Sequence, residues 1–119
     1  MYNLNTVMLA GRLGADAEIK TLPGGKGKVA SFSLAVDRSY KDSTGKWHNE
    51  TDWFRVVTFQ PTLIDKVLAK QGTKGRLVFV QGALRQRNWN DKDTGEVRSS
   101  VEIEVDNTGG ITAVVEDKA

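Results

Sequence analysis

Apolar and polar residues alternate with a period of two along most of this chain, the spacing of strands, and only one stretch changes to the wider period of a helix. Residues 5–13 put Thr6, Met8, Ala10 and Arg12 on one face and Val7, Leu9, Gly11 and Leu13 on the other, with Gly11 and Gly14 marking a bend or a close backbone approach. A short strand over 17–22 ends at Pro23-Gly24-Gly25. In 29–40 the even positions Ala30, Phe32, Leu34 and Val36 are apolar, and the same face continues as Arg38 and Tyr40. A face that is core at one end and cation plus aromatic at the other belongs to a strand that runs past the core into an arm. Residues 41–50, with Ser43-Thr44-Gly45, read as the polar tip of a hairpin returning as the strand 51–59. Residues 61–71 are the helix: Pro61 near its start, a stripe of Leu63, Ile64, Val67 and Leu68, Lys70 in the last turn, Gly72 as the stop. Residues 76–89 and 96–106 form a second hairpin around the polar tip 90–95, and 111–115 adds a short edge strand. In 96–106 the alternation is cleanest: Val97, Ser99, Val101, Ile103 and Val105 read as core, and Arg98, Ser100, Glu102, Glu104 and Asp106 as a solvated face.

Five principal strands, one helix between the third and fourth, and hairpins longer than the core needs describe an all-β chain. The architecture that fits is a five-stranded OB-fold Greek-key barrel with one α-helix between strands 3 and 4 and long protruding β-hairpins. Such closure leaves few open edges. At 119 residues the chain is expected to hold one domain, over 1–115, with 116–119 as a short C-terminal remnant.

Two strands carry chemistry. In 51–59, Trp53, Arg55, Val57 and Phe59 share one side while Phe54, Val56 and Thr58 share the other. Taken alone, that face reads as core sooner than as surface, since large aromatics mostly go inside. Along the far half of 76–89, however, Arg85, Arg87 and Trp89 repeat the arrangement. Burying arginine beside tryptophan on both strands would leave unpaired charge inside, so the pattern points to an open surface where rings stack on unpaired bases and cations meet phosphates. Trp47, in the hairpin tip, is a weaker candidate of the same kind.

Charge and the remaining motifs narrow the choice. The net charge of +2 says little, but residues 1–101 carry 16 Lys/Arg against 10 Asp/Glu and residues 102–119 one Lys against five acids, which together make the 17 and 15 of the whole chain. The basic excess therefore sits on the body. With no cysteine there is no disulfide, no thiolate metal site and no thiol nucleophile. The Gly24-Gly25-Lys26-Gly27-Lys28 run lacks the spacing of a phosphate-cradling loop and precedes no helix. Asn90 to Gly95 only superficially resembles a calcium loop, because Val101 stands where the closing glutamate would. Asn49-Glu50-Thr51 matches a glycosylation sequon that no secretion signal makes usable. His48 stands alone in a polar tip, and Glu102, Glu104 and Asp106 read as a solvated strand face before they read as a metal site, so no catalytic residue, metal or cofactor is expected. No apolar run approaches membrane-spanning length, and the start lacks a secretion pattern; a soluble protein of the cell interior, cytoplasmic by default, is expected.

Three stretches resemble a known family: Asn5-Thr-Val-Met-Leu-Ala-Gly-Arg-Leu-Gly14, the strand Thr51-Asp-Trp-Phe-Arg-Val-Val-Thr-Phe59, and Gln81-Gly-Ala-Leu-Arg-Gln-Arg-Asn-Trp89 look like the bacterial-type single-stranded DNA-binding proteins, the SSB family, over about 4–114. The resemblance implies an OB-fold homotetramer that coats single-stranded DNA without sequence preference during replication, recombination and repair. It places base stacking on Tyr40 (commonly Trp in relatives), Trp53, Phe59 and Trp89, and phosphate contacts on Arg55, Lys74, Arg85, Arg87 and Arg98. Three departures stand out. Phe54 replaces a usual histidine, Gln60-Pro61-Thr62 lacks a usual nearby lysine, and the chain ends at Glu116-Asp117-Lys118-Ala119 without the long tail and acidic tip through which relatives recruit replication and repair proteins. Two other classes are weighed against this one: a protein-interaction module on the same barrel, which generally dispenses with the stacking tryptophans, and a nuclease, for which the constellation is missing. RNA is left open as a ligand, since stacking and phosphate contacts do not read the 2′-hydroxyl.

Overall fold

The computed structural model describes residues 3–115, so the expected remnant 116–119 lies outside them. Within them the order is β1 (Val7–Leu13), β2 (Glu18–Thr21), β3 (Lys28–Lys41), β4 (Trp47–Thr58), a helical segment over 61–71, β5 (Leu77–Asn90), β6 (Val97–Val105) and β7 (Gly110–Ala113). β1 pairs with β3, β3 with β4, β4 with β6, β6 with β5, and β5 returns to β1, which closes five strands into the OB-fold barrel. Every pairing in that ring is antiparallel except β4–β6, where Val56–Thr58 runs beside Ile103–Val105. The buried Thr58 hydroxyl donates to the Val105 carbonyl at 2.8 Å and secures this closure. The short strands attach outside the ring, β2 on β3 and β7 on β5.

The inward positions that the alternation marks include Leu13, Ala30, Phe32, Leu34, Val56, Ile103 and Val105, all buried, and the unbroken apolar run of residues 77–80 adds Val78 and Val80. Gly11 is where β1 bends onto β3, since a Cβ there would lie 2.3 Å from the Ala35 carbonyl oxygen. The helix plugs the barrel with Ile64 and Leu68. Its winding differs from the α-helix expected, being a π-helix over Leu63–Leu68 before an α-helical end at Ala69–Gln71. An apolar stripe only six residues long keeps one face inward under either winding, so the pattern cannot separate them.

Beyond the barrel, β3–β4 and β5–β6 continue as two-stranded arms. They raise the radius of gyration to 16.8 Å, against about 13.5 Å for a compact chain of this length. The first arm is longer than the sequence pattern shows. Its ladder runs to Lys41 opposite Trp47, leaving 42–46 as the tip rather than 41–50. A ribbon with no core beneath it imposes no apolar period, so Trp47 to Glu50 reads as loop. Asp42 organises that tip by accepting the Thr44 and Lys46 amides, each at 2.9 Å, and the Thr44 hydroxyl. The Thr44 hydroxyl above all, then His48, holds its carboxyl far below the usual range.

One expectation fails on β6. Ile103 and Val105 are core, but Val97 and Val101, on the same face, are 71% and 61% exposed. That half of β6 pairs only with β5 in the arm, and nothing among the described residues lies over it. Conversely Glu102, expected on a solvated face, is 5% exposed.

Candidate nucleic-acid interface

In the closed sheet β6 lies between β4 and β5, so outward side chains of the three strands make one continuous surface. β4 contributes Trp53, Arg55 and Val57 from positions opposite Ala35, Ser33 and Ser31 of β3. β5 contributes Arg85, Arg87 and Trp89, opposite Glu102, Ser100 and Arg98 of β6. Trp53 is 61% exposed, Trp89 50% and Phe59 40%. Arginine two positions away, Arg55 for Trp53 and Arg87 for Trp89, keeps both tryptophans out of the core, because a guanidinium has no acid to meet inside the barrel. Gly14 supports Trp53: the ring packs on its backbone, and a Cβ there would come within 2.5 Å of Cζ3. Beside Phe59 lies an open groove of about 460 Å³, lined among others by Lys20, Arg55, Val57, Arg87 and Glu102.

The arginines are not bare. Arg87 donates Nε–H to Glu102 Oε1, and Arg55 Nε stands 3.6 Å from the other oxygen of the same carboxylate. Arg85 lies 3.8 Å from Glu104 and 4.0 Å from Asp106. Arg98 reaches Asp91 at 3.3 Å, at the second arm's tip. The Asp93 amide chiefly, with help from Arg98, holds the Asp91 carboxyl below its ordinary range, and the Thr108 hydroxyl does the same for Asp106. Acids that look separated from the basic body along the chain are thus folded directly onto it. Among the described residues no three His, Cys, Asp or Glu gather where they could hold a metal.

Two expected site residues lie apart from this surface. Tyr40 faces the reverse of the first arm, because it pairs with His48 while Trp53 shares its face with Trp47, Asn49, Thr51 and Arg55. Its ring stacks on His48 at 5.1 Å, and the Arg38 guanidinium sits 5.5 Å from its centroid. Its hydroxyl donates to Glu50, whose carboxylate raises the phenol pKa. Lys74 lies at the rim in the turn before β5. Its amide is held by Asp16, which lines the same small depression as Arg55.

With that geometry in place, the comparisons are specific: residues 4–110 match the Single-strand binding protein family. The chain belongs to this family. Among solved structures it is similar to the Plasmodium falciparum SSB complex with ssDNA, at 37% sequence identity and a TM-score of 0.87, the match covering 97% of this chain and 98% of that one. As a family member the chain shares the family's OB-fold barrel.

Trp47, only a weak candidate from the sequence, is 65% exposed on the Trp53 face of the first arm, a position settled by hairpin register. Two other neighbours of that face escape a reading of the sequence alone. Lys20 lines the groove from a strand of four residues, too short for alternation to mark a face. Glu102 looks like any solvated acid until β4 and β5 are laid on either side of it.

Proposed function

We propose that this chain binds single-stranded DNA without sequence preference, stacking bases on Trp53, Phe59 and Trp89 while Arg55, Arg85, Arg87, Arg98 and Lys74 meet phosphates. Tyr40 serves a strand that passes over the edge of the first arm. The observation that carries this reading is the single outer face on which three exposed rings alternate with four arginines. Rings accept any base, because every base has a π-face, and cations follow the backbone whatever its sequence. Binding of this kind is passive and protects the strand during replication, recombination and repair. It needs no cofactor and no bond-breaking group.

A homotetramer suits the same reading. β1 joins β3 only at Arg12 and Leu13, so the β3-side edge of residues 7–10 is unpaired among the described residues, with Met8 exposed beside it. A second copy pairing there would satisfy the open edge. No helix among the described residues is long and apolar enough to cross a membrane.

Intrinsic tryptophan fluorescence during titration with a long oligo-dT tests the function. Stoichiometric quenching whose affinity falls as salt rises is the expected result. An unchanged signal at micromolar protein and low salt would return the face to a protein-interaction module. Parallel titration with oligo-U reads the preference between DNA and RNA.

A further inference from the structure

Burying a carboxylate is unfavourable unless cations and hydrogen bonds offset its lost hydration. Glu102 gets that support from two different strands. Arg87 of β5 donates to one oxygen and Arg55 of β4 stands as an ion-pair partner 3.6 Å from the other, so the acid on the middle strand lies between two arginines. Both approach through Nε, and the two arginine side chains remain 55% and 58% exposed. Among the described residues no other acid pairs with their terminal N–H groups, which are left for a ligand above the groove beside Phe59. Two cations and one anion leave a single net positive charge, the complement of one phosphodiester.

We infer that Glu102 is a positioning residue for nucleic-acid binding: it locks Arg55 and Arg87 into one clamp for one phosphate, where each alone would be a mobile cation. The inference rests on the single-strand-binding reading of this face. A planar guanidinium fixed at Nε presents its remaining donors in a set direction, and fixing it beforehand removes the ordering cost from the binding step. An acid that served only to repel phosphate would act in the opposite direction, and its loss would tighten binding.

The test is oligo-dT affinity over a salt series for the wild type, Arg55→Ala, Arg87→Ala, the double variant, Glu102→Gln and Glu102→Asp, each with a circular dichroism melt. For a shared clamp the two arginine losses do not multiply; the double variant binds about tenfold tighter than their product predicts. Glu102→Gln weakens binding about tenfold at high salt while steepening the log–log salt slope by about 0.7, one further counterion. Glu102→Asp restores the wild-type slope, which a purely structural role would never have moved. Losses that multiply, or a Glu102→Gln protein that binds unchanged or tighter at every salt, overturn the inference. Should Glu102→Gln fail to fold, the arginine cycle decides by itself. A wild type that leaves the tryptophan signal untouched defeats the function and the clamp together, whereas independent arginines in a protein that binds defeat the clamp alone.

Discussion

The β3–β4 arm and the β5–β6 arm leave the same barrel as two-stranded ribbons, and each shows a tryptophan two positions from an arginine on its front, Trp53 with Arg55 and Trp89 with Arg87. Their backs differ. On the first arm Arg38 bridges Glu50 at 2.6 Å and Asp52 at 3.1 Å, Tyr40 donates to Glu50 and stacks on His48, and His48 reaches Asp42 at 2.7 Å. On the second, Leu84, Val97 and Val101 are exposed with no cover among the described residues. An isolated ribbon is marginal in water. The first arm braces itself with side-chain links across its strands, while the second depends on its front, where Arg87 holds Glu102 and Arg98 holds Asp91. A ribbon braced on one side only is expected to open more easily, or to find its cover in a second copy of the chain.

The largest effect expected separates barrel from arm within one strand face. Ile103→Ala removes buried atoms and lowers stability by about 2–5 kcal/mol, whereas Val101→Ala, two residues away, changes it by less than about 0.5 kcal/mol. Urea unfolding of both variants measures the difference; a Val101 effect near that of Ile103 would mean the second arm's back is covered in solution. Next come the two fronts. Trp53→Ala and Trp89→Ala each weaken oligo-dT binding by about 1–3 kcal/mol per lost stacked base, with little change in Tm. A loss on one arm only would break the likeness between them. Gly14→Ala gives a smaller loss of binding, because its new Cβ would intrude on the Trp53 ring and tilt it without removing it.

Smaller still, Tyr40→Phe deletes one exposed hydrogen bond on the braced back. Amide exchange along 36–52 should speed up modestly, and exchange in the second arm should not. The smallest effect is with pH. The folded values of Asp42 and Asp91 are depressed, so their support of the two tips is fully present above the ordinary carboxylate range, declines progressively as pH falls below it, and is gone once pH has fallen through the depressed values. NMR shifts of the Thr44 and Asp93 amides during acid titration report this at the first and second arm.

Much of this molecule is visible in its linear pattern, for a reason that particular residues show. Ala30, Phe32 and Leu34 alternate with Ser31 and Ser33 because a closed barrel has one dry side, and Pro61 and Gly72 bound the helix through backbone chemistry that needs no tertiary partner. The same alternation misleads on Val97 and Val101, since a period of two states which residues share a face and not whether anything covers it. It misses the start of β4 at Trp47 because an uncovered ribbon exerts no selection on apolar spacing.

The kinds of residue available for binding were settled by the amino-acid order alone: rings next to arginines on two strands, no cysteine and a single histidine. Which of them meet was decided by strand register and sheet closure. Trp53, Arg55, Arg87 and Trp89 come together only because β6 lies between β4 and β5, and Tyr40 falls on the far side only because it pairs with His48. Glu102 shows the division most plainly. Nothing local distinguishes it from Glu104, yet the parallel β4–β6 contact brings Arg55 to one side of it while the antiparallel β5–β6 ladder brings Arg87 to the other. Local sequence specifies a side chain and its face, but distance between strands far apart in the chain is a property of the closed sheet.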